Sequence, residues 1–128
     1  MLNQIAVPTI TAAGDAGSGA GGTTNTYGVI DGYVVGVHVA FGGTSTTGDI
    51  AVTTQHSPAG TVLTLTDYTA GTVWYYPRAL INTTAGGTVD YADGKGVHEP
   101  IPVCDHVKVT LLQVEPAETL NVTLLVQD

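Results

Sequence analysis

The stretch "GYVVGVHVAF", Gly32 to Phe41, decides how the rest of the chain is read. Tyr33, Val35, Val37, Val39 and Phe41 are apolar, while Gly36, His38 and Ala40 fall between them. A two-residue period places one set on a buried face and the other on an outer face, as in a half-buried β-strand. The same alternation recurs at the C-terminal end. Val107, Val109 and Leu111 alternate with His106, Lys108 and Thr110. Leu120, Val122, Leu124 and Val126 are expected inward, against Asn121, Thr123 and Gln127.

Composition points the same way. Thr, Val and Gly dominate, and the strong helix formers Glu, Lys, Gln, Arg and Met are scarce. Weaker strands are expected at Ile5–Thr11, Asp49–Thr54, Thr61–Thr66 and Val73–Tyr76. Turn residues separate them at Gly42-Gly43, Ser57-Pro58-Ala59-Gly60, Ala70-Gly71 and Glu115-Pro116. No capped amphipathic run long enough for a helix is present. The fold class expected is all-β, an antiparallel β-sandwich or a jelly-roll-like arrangement.

At 128 residues the chain suits one domain, 1–128, with a core large enough to need no covalent staples. Residues 1–11 read as an N-terminal strand or arm. Residues 12–25, "AAGDAGSGAGGTTN", read as a flexible Gly/Ala-rich loop, too poor in side chains to pack. Asn82 to Pro102 reads as a second, long loop. The opening "MLNQIAVPTI" has no basic segment leading into an apolar core, so no secretory signal is expected. No run of about 18 apolar residues offers a membrane helix. The mean hydropathy of +0.23 reflects Val, Leu and Ala with few charges.

Three Lys and Arg stand against 11 Asp and Glu, a formal charge of −8. Arg78, Lys95 and Lys108 are scattered, which argues against nucleic acid and against anionic membranes. One cysteine, Cys104, excludes an internal disulfide and any multi-cysteine metal site.

Candidate chemistry is sparse. "VCDHV" sets Cys104, Asp105 and His106 side by side, but strand neighbours at i, i+2 lie about 7 Å apart, too far for a thiol–imidazole bond. The reading preferred there is a small buried cysteine with a rim histidine. "DYADGKGVHE" carries Asp90, Asp93 and Glu99 around Gly94 and Gly96, fragments of a calcium-loop pattern without its full alternation. A solvated Asp-Gly turn explains it, so no metal or other cofactor is expected. His38, His56, His98 and His106 show no ligand spacing. No catalytic residue is assigned.

"GTVWYYPRAL" gathers the single Trp and the single Arg with two tyrosines. Strand parity puts Trp74 and Tyr76 on one face, Val73 and Tyr75 on the other, and Pro77 ends the strand. The reading preferred is Trp74 in the core, Tyr76 near its rim and Arg78 paired with a carboxylate. Tyr75, Tyr76, Arg78 and Tyr91 are the candidates for a subunit or partner contact, since Tyr and Arg are enriched at interface hot spots.

The segment order "TITAAGDAGSGAGG", "VIDGYVVGVHVAF", "GDIAVTT", "TVLTLTD", "WYYPRAL" and "PVCDHVKVTLLQVEPAETLNVTLLVQD" resembles a group of small tailed-bacteriophage virion proteins. The resemblance spans nearly the whole chain, with "YPR" and the closing strand pair its most specific parts. It implies a non-enzymatic virion structural protein, foremost a capsid decoration (cement) protein on the outer capsid surface, made in the host cytoplasm. The implied partners are the major capsid protein or other virion proteins, with a homo-oligomer, a trimer ahead of a dimer. Rival readings are a head–tail connector, tail or head-fibre component, or a carbohydrate-binding or adhesin module using Trp74, Tyr75 and Tyr76.

Overall fold

The computed structural model describes residues 1–56, 60–80, 84–87, 90–92, 95–96 and 98–128, with backbone alone for Leu80, Asp90, Tyr91, Ala92 and Lys95. In chain order the strands are β1 (Leu2–Ala6), β2 (Ile10–Thr11), β3 (Ala13–Asp15), β4 (Gly19–Asn25), β5 (Ile30–Phe41), β6 (Gly48–Thr54) and β7 (Thr61–Tyr68). There follow β8 (Thr72–Tyr75), β9 (Arg78–Leu80), β10 (Asp90–Ala92), β11 (Lys95–Gly96), β12 (His98–Asp105), β13 (Val107–Val114) and β14 (Thr119–Gln127). Two antiparallel sheets pack face to face, so the expected β-sandwich is the observed fold. The first runs β1-β14-β5-β12-β9, with β2 also on β14 and β8 also on β5; the second runs β3-β4-β13-β6-β7. β10 and β11 form a separate small hairpin.

The C-terminal expectations hold residue by residue. Leu120, Val122, Leu124 and Val126 of β14 are buried, and so are Val107, Val109 and Leu111 of β13. In β5 the alternation holds only for the upper half, where Val37, Val39 and Phe41 face the core. Below it the inward residues are Val34 and Ile30, while Tyr33 is exposed and Val35 half-buried. A β-bulge causes the switch. Leu125 pairs with Gly36 and the next residue, Val126, pairs with Val34, so Val35 is one residue extra and parity inverts. Without it, Asp31 would point inward and Ile30 outward. Burying an unpaired carboxylate costs far more than the one ladder position a bulge gives up, so the bulge wins.

Two segments read as loops are strands. Gly19–Asn25 pairs with β13, and Ala13–Asp15 closes a hairpin onto it. Small side chains are what this edge requires, because the strand lies tight against its neighbours. A Cβ on Gly21 would stand 2.2 Å from the Leu111 carbonyl oxygen, and Ala12 and Ala20 are both buried. His98–Asp105 is also a strand despite Pro100 and Pro102. It pairs with β9 through Pro100 and with β5 from Ile101 onward, so the two residues lacking an N–H flank the change of partner. The N-terminal segment is two strands, β1 and β2, both laid on β14, rather than one running from Ile5 to Thr11.

β7, the outer strand of the second sheet, carries two further bulges. Thr53 and Val52 of β6 pair with Thr61 and Leu63, and Ile50 and Gly48 pair with Leu65 and Tyr68. Each shift adds one residue to β7, with Asp67 at φ 50° in the lower one. The extra residues return Val62 and Tyr68 to the core while Thr64 and Thr66 stay exposed.

Gly21→Ala is expected to lower stability by about 1–3 kcal/mol, because the obstructing atom is backbone. Gly28→Ala, where a Cβ meets nothing within 4 Å, is expected to shift it by less than about 0.5 kcal/mol. Urea denaturation midpoints of the two variants check the contrast.

Candidate functional site

The bulge at Val35 sits where β5 changes partner. Thr72–Tyr75 of β8 pairs with β5 from Val37 upward, and β12 pairs with it from Val34 downward. Val35 therefore has no partner residue in any strand beside it. The Arg78 guanidinium fills the gap, donating from Nη1 to the Val35 carbonyl at 2.9 Å and to the Pro77 carbonyl at 2.8 Å. Pro77 turns the chain out of the β5 ladder so that Arg78 can begin β9 on the far side of β12. Arg78 is thus a clasp for backbone carbonyls; among the described residues it pairs with no carboxylate, contrary to expectation.

The aromatic residues divide opposite to the core-plug reading. Tyr75, not Trp74, turns inward, half-buried against the core and 6.4 Å from Tyr68 between ring centroids. Tyr68 lies deeper, donating to the Gly71 carbonyl at 2.9 Å; burial, then Tyr75, pushes its pKa up to about 12. Trp74 and Tyr76 point outward, 37 % and 60 % exposed. The reason is register: Trp74 stands opposite His38, whose side chain is on the outer face. Trp74 lies 4.9 Å from the His38 ring and 6.3 Å from Tyr76, the latter two rings only 13° from parallel. Both rings cover Gly36, where an added Cβ would come within 3.3–3.4 Å of them.

These rings belong to a wider surface. One cross-strand row of outward residues is Trp74, His38, Thr123 and Ala6. The row above it is Thr72, Ala40 and Asn121, with Thr9 hydrogen-bonded to Asn121. Below, Tyr76 and Gly36 continue into Leu125 and Gln4. The lowest row is Pro102, Tyr33, Gln127 and Leu2. No charged side chain stands in these four rows, although the chain carries 11 carboxylates.

The four contact candidates separate accordingly. Tyr76 lies on this face, Tyr75 is turned to the core, Arg78 is occupied at the bulge, and the side chain of Tyr91 is outside the described residues. Reading the outward positions of "LNVTLLVQ" and "GVHVA" for absence of charge is the signal that finds the rest of the face. Of the metal candidates, Asp93 and the Asp90 side chain are outside the described residues, and Glu99 lies on β12. No group of three metal-binding side chains occurs among the described residues.

The "VCDHV" corner is assembled differently from its sequence order. Cys104 is exposed rather than buried, because it stands on the outer face opposite Asp31. The His106 ring meets the Thr26 carbonyl at 3.1 Å. Asp105 reaches His56, accepting from its backbone N–H at 2.8 Å and contacting its ring Nδ1, and accepts from the His106 N–H at 2.7 Å. The backbone N–H of His56 is the chief reason that the Asp105 pKa falls to about 2. Comparison with family models, with curated proteins and with solved structures found no significant match.

A carboxylate depressed in the folded state contributes stability above its unfolded pKa of about 3.9, and that contribution is lost as pH falls through about 2. His56→Ala removes the ring but keeps the backbone donors, so the Asp105 midpoint is expected to rise only part of the way. Side-chain carboxyl NMR titration measures it. Arg78→Ala, which strands the Val35 carbonyl at a partly solvated site, is expected to cost about 1 kcal/mol in urea denaturation.

Proposed function

We propose that this chain is a non-enzymatic structural protein of a tailed-phage virion, a decoration protein seated in many copies on the assembled head. The observation that supports it is the use made of the acidic side chains. Glu115 accepts from the backbone N–H groups of Gly17 and Ser18, at 3.1 and 2.9 Å. Glu118 accepts from the Thr44 and Ser45 amides and from the Ser45 hydroxyl. Asp49 accepts from the Asp67 amide and Gln113, each at 3.1 Å, and Asp105 holds His56 and His106. Each carboxylate fastens two segments distant in sequence: Glu115 and Glu118 join the β13–β14 turn to other loops, Asp105 holds the segment after β6 to β12, and Asp49 ties β6 to β7 and β13. A general acid or base needs a carboxyl free to exchange its proton with a substrate, and these four are committed to holding loops still. Such a body suits rigid attachment, and its net charge of −8 suits the outside of a shell rather than a lumen packed with DNA.

The segment order that resembles small phage virion proteins gives the reading its location, and the major capsid protein is the partner it names. A homo-oligomer, a trimer ahead of a dimer, would match a three-fold site on a shell. Purified protein mixed with expanded empty capsids of the encoding phage is expected to sediment with them, saturating at hundreds of copies per head. Saturation at a dozen copies or fewer would transfer the reading to a connector, tail or fibre part. No protein in the pellet would overturn the decoration reading.

A further inference from the structure

From the charge-free rows around Trp74 and Tyr76 on the outer face of the first sheet, we infer that this protein binds a neutral polysaccharide, laid across those two rings. The inference stands on the face itself and does not depend on the virion reading. Three observations carry it.

The first is ring geometry. Trp74 on β8 and Tyr76 just past its end project to the same side, 6.3 Å between centroids and 13° from parallel. Both keep exposed surface, and both are seated on Gly36, with His38 bracing Trp74 at 4.9 Å. Sugar rings with equatorial hydroxyls present flat C–H faces, and fixed aromatic rings offer them contact without first losing rotamer freedom.

The second is the chemistry around the rings. The polar outward neighbours, set among Ala6, Ala40 and Leu125, are amides and hydroxyls: Gln4, Asn121, Thr123, Gln127 and Thr72. Such groups both donate and accept, matching sugar hydroxyls. The rows that hold the two rings carry no carboxylate, Asp31 standing at the lower end of the face beyond Tyr33, and the Arg78 guanidinium beside them is tied through Nη1 to two backbone carbonyls. That combination specifies an uncharged ligand.

The third is size. Four strands by six residue steps give a platform of about 15 by 20 Å, on the order of 300 Å². A stable protein–protein contact needs about 800 Å² from each partner. The face is too small for that alone and fits a few sugar units in a row.

The test uses affinity electrophoresis of the whole protein through gels containing neutral polymers (soluble cellulose, xylan, mannan and galactan derivatives), with hyaluronate as the acidic control. Titration with the corresponding hexasaccharides is followed by the fluorescence of Trp74, the single tryptophan. At least one neutral polymer is expected to retard the protein and to shift Trp74 emission saturably, while hyaluronate does neither. Tyr76→Ala, at the more exposed position, is expected to keep the wild-type melting temperature, and Trp74→Ala, which uncovers Gly36, to lower it while leaving the fold intact; each should weaken retardation by roughly tenfold or more. Thr64→Ala, on the opposite sheet, should leave it unchanged. Retardation by no neutral polymer overturns the inference, as does retardation that survives both aromatic substitutions. If glycans fail and Trp74→Ala instead abolishes sedimentation with capsids, the face is a protein contact; the inference falls while the decoration reading stands.

Discussion

β5 must serve two masters, and the extra residue at Val35 is how it does so. Above the bulge the strand gives Val37, Val39 and Phe41 to the core; below it, Ile30 and Val34. The inversion keeps Asp31 and Tyr33 on the outside, and it coincides with the point where the strand passes from β8 to β12. A single guanidinium bridges the interruption. Pro77 and Arg78 are therefore parts of one device: the proline ends one ladder, and the arginine satisfies the carbonyl that the next ladder cannot reach. Because β5 is the central strand of its sheet, the outer aromatic face and the lower end of the core both depend on this switch.

How legible this was depends on which forces the sequence records. β14, and β13 as far as Leu111, could be read residue by residue, since an unbroken two-residue period fixes both the strand and its buried side. A bulge leaves no such mark. In "GYVVGVHVAF" the apolar residues on both sides of the switch are mostly valines, so the wrong parity for Tyr33 and Val35 looks as good as the right one. The same ambiguity misplaced Trp74, whose direction is set by standing opposite His38 rather than by its size. The glycine-rich segment misled for another reason. Gly21 is required by a backbone approach that no side-chain pattern reports, and composition alone cannot distinguish a tightly packed strand from a slack loop. Pro100 and Pro102 hid β12, because their tolerance follows from a change of partner that only the assembled sheet reveals.

The candidate site was half visible. Its aromatic members stand out in a chain with one tryptophan, whereas its boundary is defined by what is missing. Charges are excluded from four rows assembled from five strands far apart in sequence, so neither a motif nor a spacing records the face. Four of the acidic residues, Asp49, Asp105, Glu115 and Glu118, instead accept hydrogen bonds from backbone amides of segments distant in sequence.

The doubled bulge of β7 has a consequence for crowding. A sandwich whose last strand were straight would expose a row of unpaired amides and carbonyls, and neighbouring copies held close together could zip into a continuous ribbon. Val62 and the kink at Asp67 break that row into pieces shorter than a cooperative ladder needs. Molecules of this kind can be arrayed shoulder to shoulder at very high local concentration without fusing along that edge.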